Sequence, residues 1–210
     1  MGGLRVRAEE VAVLVLAAGR SRRMGTPKAL LPWRADGTCV IRCAVESLIM
    51  EAQGGVYITV GEDAAAVANA LAGVAYHEIG VDGRAEQLDS LRAGLERLER
   101  ESRSVTQVLV HPADHPVVHA ATVRAILDEA RENAAVMPEY GGKGGHPVLI
   151  PRSLWEEIAR WRGEGGLAQY WRENPQKRVR VPVEDEAVVL TMNTPVEYAA
   201  ARRRWAGVDV

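Results

Sequence analysis

The pattern of apolar and polar positions alternates between short β-branched runs and longer amphipathic stretches. Val11–Leu16 (VAVLVL) is a continuous apolar run that ends at once in small and turn-forming residues. That is the pattern of a central parallel strand buried on both faces. The spacing predicts a helix over Val40–Met50, a strand over Gly54–Val60, an Ala-rich helix over Asp63–Leu71 and a short strand around Val74–His77. Leu88, Leu91, Leu95 and Leu98 recur at three- and four-residue intervals, which makes Glu86–Arg100 an amphipathic helix with a charged outer face. Gln107–Val110 reads as a third buried strand, followed by a helix from Ala120 to Glu132. Alternation of this kind predicts one α/β domain whose mostly parallel sheet carries covering helices.

The second half is less regular. Ala134–Met137 and Pro147–Ile150 read as strands around a glycine-rich loop, Tyr140–Gly145. Ser153 followed by Glu156 predicts a capping box opening a helix to Trp161, and Gly163–Gly166 breaks the chain. Short strands are expected at Val179–Val183 and Ala187–Thr191, then a final helix over Thr194–Trp205 with Pro195 in its first turn. No internal repeat or linker interrupts the 210 residues, so a single domain spanning 1–210 is expected.

Composition narrows the function only by exclusion. A net charge of −2 argues against broad nucleic-acid binding, which wants a strongly basic face. Val11–Ala18 is too short to span a bilayer and follows Glu9 and Glu10, so neither a membrane span nor a secretory signal is expected. Cys39 and Cys43 match no zinc or redox spacing and read as small core residues, with a cytoplasmic location as the default. Basic residues are almost all Arg, with Lys only at positions 28, 143 and 177, so a Lys stands out where a compact point charge is wanted.

In open α/β sheets ligands sit beyond the carboxyl ends of the strands. The first such segment runs from Leu16 to Lys28. Ala17, Ala18 and Gly19 let a base or ribose approach the backbone, and Gly19 and Gly25 can turn N–H groups towards phosphate oxygens. Arg20, Arg22, Arg23 and Lys28 place up to four cations around it. The loop is not a Walker A motif, and no GxGxxG follows the strand. Spacing alone leaves a solvated basic turn open as the alternative.

From Leu16 to Pro32 the residues spell LAAGxSxRMGxxKxLLP, which resembles the signature loop of the nucleotidyltransferases that include the molybdenum-cofactor transferases and sugar-nucleotide pyrophosphorylases. The resemblance implies a Rossmann-like three-layer sandwich of the nucleotide-diphospho-sugar transferase type. It also implies that Leu16, Ala17, Ala18, Gly19, Arg20, Ser21, Arg22, Met24 and Gly25 hold a nucleoside triphosphate, with Arg23 and Lys28 catalytic. Asp114 in Pro112-Ala-Asp-His-Pro116 resembles the family's strand-end Asp, a magnesium ligand. Asn193 in Thr191-Met-Asn-Thr-Pro195 resembles its second magnesium ligand, although Asn193 also stands where a helix cap would. Ser90, in a stretch ending Ser-Leu-x-x-Gly, falls near the base by the same resemblance. Lys143, Gly145, His146 and Pro147 resemble a Gly-His-Pro segment beside the acceptor, for which a purely structural role stays open.

His111, Asp114, His115 and His119 could also suggest zinc, but that site needs a helix which Pro112 and Pro116 interrupt, so these histidines read as loop residues. Ala18, where guanylyl relatives carry Gly, tilts the base towards cytosine. The resemblance therefore implies magnesium-dependent transfer of CMP from CTP to a phosphorylated acceptor, molybdopterin cofactor, with release of pyrophosphate. It implies a nucleotide-binding half over 11–120, an acceptor-binding half over 121–210, a monomeric working unit, and a molybdoenzyme as a candidate partner. A guanylyltransferase, or a sugar- or polyol-phosphate nucleotidyltransferase, is the alternative enzyme. A nucleotide-binding chaperone, docking through Glu96–Glu101 or through Trp155 and Trp161, is the alternative of another class.

Overall fold

The computed structural model describes residues 4–19, 26–82 and 86–207. Among them, eight strands form one mixed sheet: β1 Val11–Leu16, β2 Val56–Val60, β3 His77–Gly80, β4 Gln107–Pro112, β5 Ala135–Tyr140, β6 Lys143–Gly144, β7 Val148–Pro151 and β8 Arg178–Pro182. Their order is β3-β2-β1-β4-β7-β5-β6, with β8 paired to β5. The β3-β2-β1-β4 part is parallel, as expected. β7 runs antiparallel to both β4 and β5, and β6 to β5, so the sheet is mostly parallel, as expected, with two reversed strands that were not foreseen. Direction is not encoded in apolar runs: buried strands look alike whichever way they run.

Among the described residues seven helices cover the sheet: α1 Val40–Ile49, α2 Ala64–Ala70, α3 Gln87–Glu101, α4 Ala120–Asp128, α5 Trp155–Arg160, α6 Gly166–Glu173 and α7 Pro195–Trp205. Alternation along β1 shows how three layers follow from one strand. Val11, Val13 and Val15 join the cluster beneath α1, α2 and α4, whereas Ala12 and Leu14 join the one beneath α3, α5 and α6. Leu14 is fully buried, and truncating such a side chain to Ala typically costs about 2–5 kcal/mol. Gly94 lets α3 approach closely, since a Cβ there would lie 2.4 Å from Leu14 Cδ2. A third cluster, with Trp33, Cys43, Met192 and Ala201, ties α7 to the loop after β1, and Cys43 is the small core residue expected.

Four expectations need correction. Ser153 does not cap α5; its hydroxyl bonds the Glu132 carbonyl, and the helix starts at Trp155 after a 3-10 turn at Arg152–Leu154. Ala187–Thr191 is no strand: Glu186–Val189 is a 3-10 turn, started by Asp185 accepting from the Ala187 N–H at 3.0 Å. α6 follows directly on the glycines that were expected only to break the chain. The short third strand starts at His77, where Val74–His77 had been expected.

Candidate active site

The parallel strands β1 and β4 end side by side, with Leu16 opposite Pro112, and the Ala113 N–H donates to the Leu16 carbonyl at 3.1 Å. The chain leaving β1 returns at Pro27 into a 3-10 turn, Lys28–Leu30. This delivers the Lys28 side chain to Asp114: Nζ donates to Asp114 Oδ2 at 2.7 Å and to Asn193 Oδ1 at 3.0 Å. Three residues distant in sequence thus meet at one point above the strand ends. Asn193 does not cap α7. Thr194 does, in a capping box with Glu197, and this leaves the Asn193 amide oxygen to face Lys28.

The electrostatics of this point are set by burial and pairing. Burial disfavours the Asp114 carboxylate, yet attraction to the His115 ring, where acid protonates it, and to the bonded Lys28 ammonium outweighs it and holds the carboxyl below its usual range. Asp114 and Asn193 direct two hard oxygen donors at the position that the Lys28 ammonium fills; a magnesium-type ion held by few protein ligands would use the same oxygens once Lys28 turns to the phosphates. Triphosphate oxygens and water would complete its shell. Among the described residues no group of three His, Cys, Asp or Glu side chains is arranged to hold a metal ion, as a zinc site of His111, Asp114, His115 and His119 would require.

Two cavities flank the point. The smaller, about 250 Å³, is lined by Ala17, Ala18, Gly19, Lys28, Ser90 and Asp114 among others. The larger, about 460 Å³, is lined by Met137, Gly145, His146, Leu167, Trp171 and Arg178 among others. Leu16, Gln87 and Pro112 belong to both, so the cavities share a wall at the ends of β1 and β4. Ala18 is only 5% exposed, so its methyl group is packed into the cavity wall. Arg20, Ser21, Arg22, Arg23, Met24 and Gly25 lie outside the described residues.

The Gly-His-Pro segment divides. Gly145 is wedged against the 3-10 turn: a Cβ there would lie 2.3 Å from the Val188 carbonyl oxygen. The His146 N–H donates to that same carbonyl at 2.9 Å, and the His146–Pro147 peptide is cis. Gly145 and His146 reach the larger cavity; exposed Lys143 and buried Pro147 do not line it.

No local pattern in the sequence brings His146 to His111 and His115 beside Asp114. His111 is a fully buried residue of β4, not a loop residue, and its ring meets those of His115 and His146 edge-on at 5.9 and 6.3 Å; the latter two are 5.3 Å apart. His111 Nε2 lies 2.7 Å from the His115 carbonyl oxygen, so Nε2 carries the proton and donates, and Nδ1 is left bare. Burial pushes all three imidazoles down, to about 4 for His111 and His146 and about 3 for His115. They are neutral at physiological pH and form an uncharged wall beside the Lys28–Asp114 pair. His119 stands apart, its backbone N–H donating to Asp185 at 3.2 Å. Asp185 was also missed; it accepts from Thr122 Oγ1 at 2.9 Å and fastens α4 to the 3-10 turn.

The sheet order together with the family match places the chain in the nucleotidyltransferase class of α/β domain. The match to the description "MobA-like NTP transferase domain" covers residues 13–179, and the chain belongs to that family. Rv0371c from Mycobacterium tuberculosis H37Rv superposes with a TM-score of 0.80 at 29% identity, covering 92% of this chain and 98% of that one. A structure of Rv0371c in complex with manganese superposes with a TM-score of 0.77 at 28% identity and the same coverage. The bifunctional enzyme IspD/IspF of Gluconobacter oxydans (strain 621H) is 34% identical over 134 residues, 61% of this chain. The chain spans only 34% of that relative's length. Among the described residues no helix is long and apolar enough to cross a membrane.

Proposed function

We propose that this nucleotidyltransferase transfers CMP from CTP to the phosphate of a molybdopterin-type acceptor and releases pyrophosphate. The convergence of Lys28, Asp114 and Asn193 at the strand ends is the observation that carries the reading. An acceptor phosphate oxygen attacks the α-phosphorus, the bond from that phosphorus to the bridging oxygen breaks, and pyrophosphate leaves with the bond's electrons. A phosphate nucleophile is already ionised near neutral pH, so the protein need supply no base. Its task is alignment and neutralisation of charge on the leaving oxygens. Lys28 holds a positive charge at that place, and Arg23 is assigned the same task from the signature loop. Magnesium, once bound to Asp114, Asn193 and the triphosphate, supplies further charge neutralisation there. The manganese complex of Rv0371c supports a divalent ion in such a site.

The smaller cavity is assigned to the nucleotide, with Ala17, Ala18, Gly19 and Ser90 around the base and ribose. The buried Ala18 methyl favours a pyrimidine. The larger cavity is assigned to the acceptor, with His146 at its border. Its walls come from both sides of residue 120. The likeness to IspD/IspF favours a second reading, a polyol-phosphate acceptor at the same site.

Pyrophosphate release measured with each of the four NTPs, against molybdopterin and against a polyol phosphate, separates these readings. CTP with molybdopterin is expected to turn over. Turnover with GTP alone would overturn the base, and turnover with the polyol phosphate alone would overturn the acceptor. Thermal stabilisation by CTP without turnover would favour the chaperone alternative.

A further inference from the structure

The last strand of the sheet carries a pattern that the transfer reaction does not use. β8 reads Arg-Val-Arg-Val-Pro, and it pairs in parallel with β5 so that Ala135 faces Arg178 and Met137 faces Arg180. Val179 and Val181 pack into the cluster beneath α1 and α4. By alternation Arg178 and Arg180 stand on the opposite face, which Ala135 and Met137 share with α3, α5 and α6. The neighbouring strands line that face with apolar side chains, and here two guanidinium groups replace the expected aliphatic ones.

The helix above does not close over them. α6 presents Leu167, Ala168, Trp171 and Arg172 to the 460 Å³ cavity, and both strand arginines lie in its wall. Arg180 is paired with Glu139 at 2.9 Å, and Arg172 donates to the Gln169 amide oxygen. Among the described residues neither Arg172 nor half-buried Arg178 has a carboxylate within salt-bridge distance. The cavity wall also carries one carboxylate, Glu86, against the three guanidinium groups of Arg172, Arg178 and Arg180. Cations in excess on a largely apolar wall favour an anion that brings its own apolar surface.

We propose that this cavity takes an acceptor with an apolar, flat body lying over Met137, Leu167 and Trp171 and a second anionic group, separate from the reacting phosphate, held by Arg178 with Arg172. The proposal rests on the assignment of this cavity to the acceptor. It favours an apolar-bodied dianion over a compact polyol phosphate, which would leave the Met137, Leu167 and Trp171 surface uncovered.

The test uses 8-anilinonaphthalene-1-sulfonate and its neutral counterpart N-phenyl-1-naphthylamine, titrated by fluorescence against the whole protein. The sulfonate is expected to bind about tenfold more tightly than the neutral probe, as a charge-assisted contact would give. R178Q and R172Q should each reduce that preference. R100Q, in the separate groove between α3 and α5, should leave it unchanged. Equal binding of the two probes, an unaltered preference in R178Q and R172Q, or a loss in R100Q instead would overturn the proposal. Thermal stabilisation by CTP with magnesium, measured on the same samples, keeps the two claims apart. Its absence in the wild type would count against the transferase reaction, whereas the sulfonate preference reports only on the anion site.

Discussion

Lys28 is held by two oxygens from distant parts of the chain, and each contact has a distinct consequence. Removing the ammonium takes away a charge expected to act on the leaving pyrophosphate, so Lys28→Ala should slow pyrophosphate release by about 10²–10³-fold. Asn193→Ala removes the weaker, neutral donor and should cost less, visible as a higher magnesium requirement in a metal titration. The histidine wall leads to a separate, pH-dependent prediction. His111, His115 and His146 are neutral in the fold down to about pH 3–4, whereas unfolded histidine takes up a proton near 6.5. Their contribution to stability is therefore present above about pH 6.5 and is lost as the pH falls towards 4 and below. Urea unfolding between pH 4 and 7 should show this slope, and His146→Gln should flatten it; identical slopes would remove the histidines as its source.

At the scale of elements, α7 acts as a clamp on the segment that carries Lys28. Arg202 Nε donates to the Trp33 carbonyl at 2.8 Å, its Nη2 reaches the Arg34 carbonyl at 3.3 Å, and the Tyr198 hydroxyl bonds the Pro32 carbonyl. Arg202→Ala should destabilise the protein by roughly 1–3 kcal/mol, because half-buried carbonyls lose a charged donor. It should also raise the KM for CTP, a readout that a purely structural role elsewhere would not move. Gly145→Ala has no room for its Cβ, so it should lower the melting temperature and displace His146.

The signals behind these elements were unequally legible. Val11–Leu16 declared itself by an unbroken apolar run, and α7 by Pro195 in its first turn, although its capping box, Thr194 with Glu197, was overlooked in favour of Asn193. α6 was hidden because its glycines resemble a break and its buried Tyr170 and Trp171 sit among charged residues. The run from Ala187 to Leu190 misleads for a related reason: Ala187, Val188 and Leu190 are buried, but a 3-10 turn buries them without a strand partner. Trp155, weighed as a docking residue, is buried, and its indole N–H donates to the Ile150 carbonyl at 3.1 Å. A sequence shows that a residue is large and apolar, not which side of the molecule it faces.

On the scale of the whole molecule, strand order explains why the site could be found from strand ends at all. β1 and β4 are neighbours and parallel, so their following loops must meet, which brought Lys28 and Asp114 together across 86 residues. Asn193 is carried to the same place at the start of α7, across 165 residues from Lys28. His111 and His115 were seen together in the sequence, but the arrival of His146 beside them was not, because it comes from the turn before antiparallel β7, whose direction no local pattern reveals. The shared wall of Leu16, Gln87 and Pro112 predicts that the two substrates bind side by side, so a saturating acceptor analogue should leave CTP binding intact.

Above all, Lys28 and Asp114 are assigned a joint role in transfer from a nucleoside triphosphate. The most direct measurement is the rate of pyrophosphate release from CTP with magnesium and molybdopterin, compared between wild type, Lys28→Ala and Asp114→Ala. Wild type should release pyrophosphate, and both variants should fall by at least about 10²-fold while melting as cooperatively as wild type. Near-normal release from either folded variant would contradict that role.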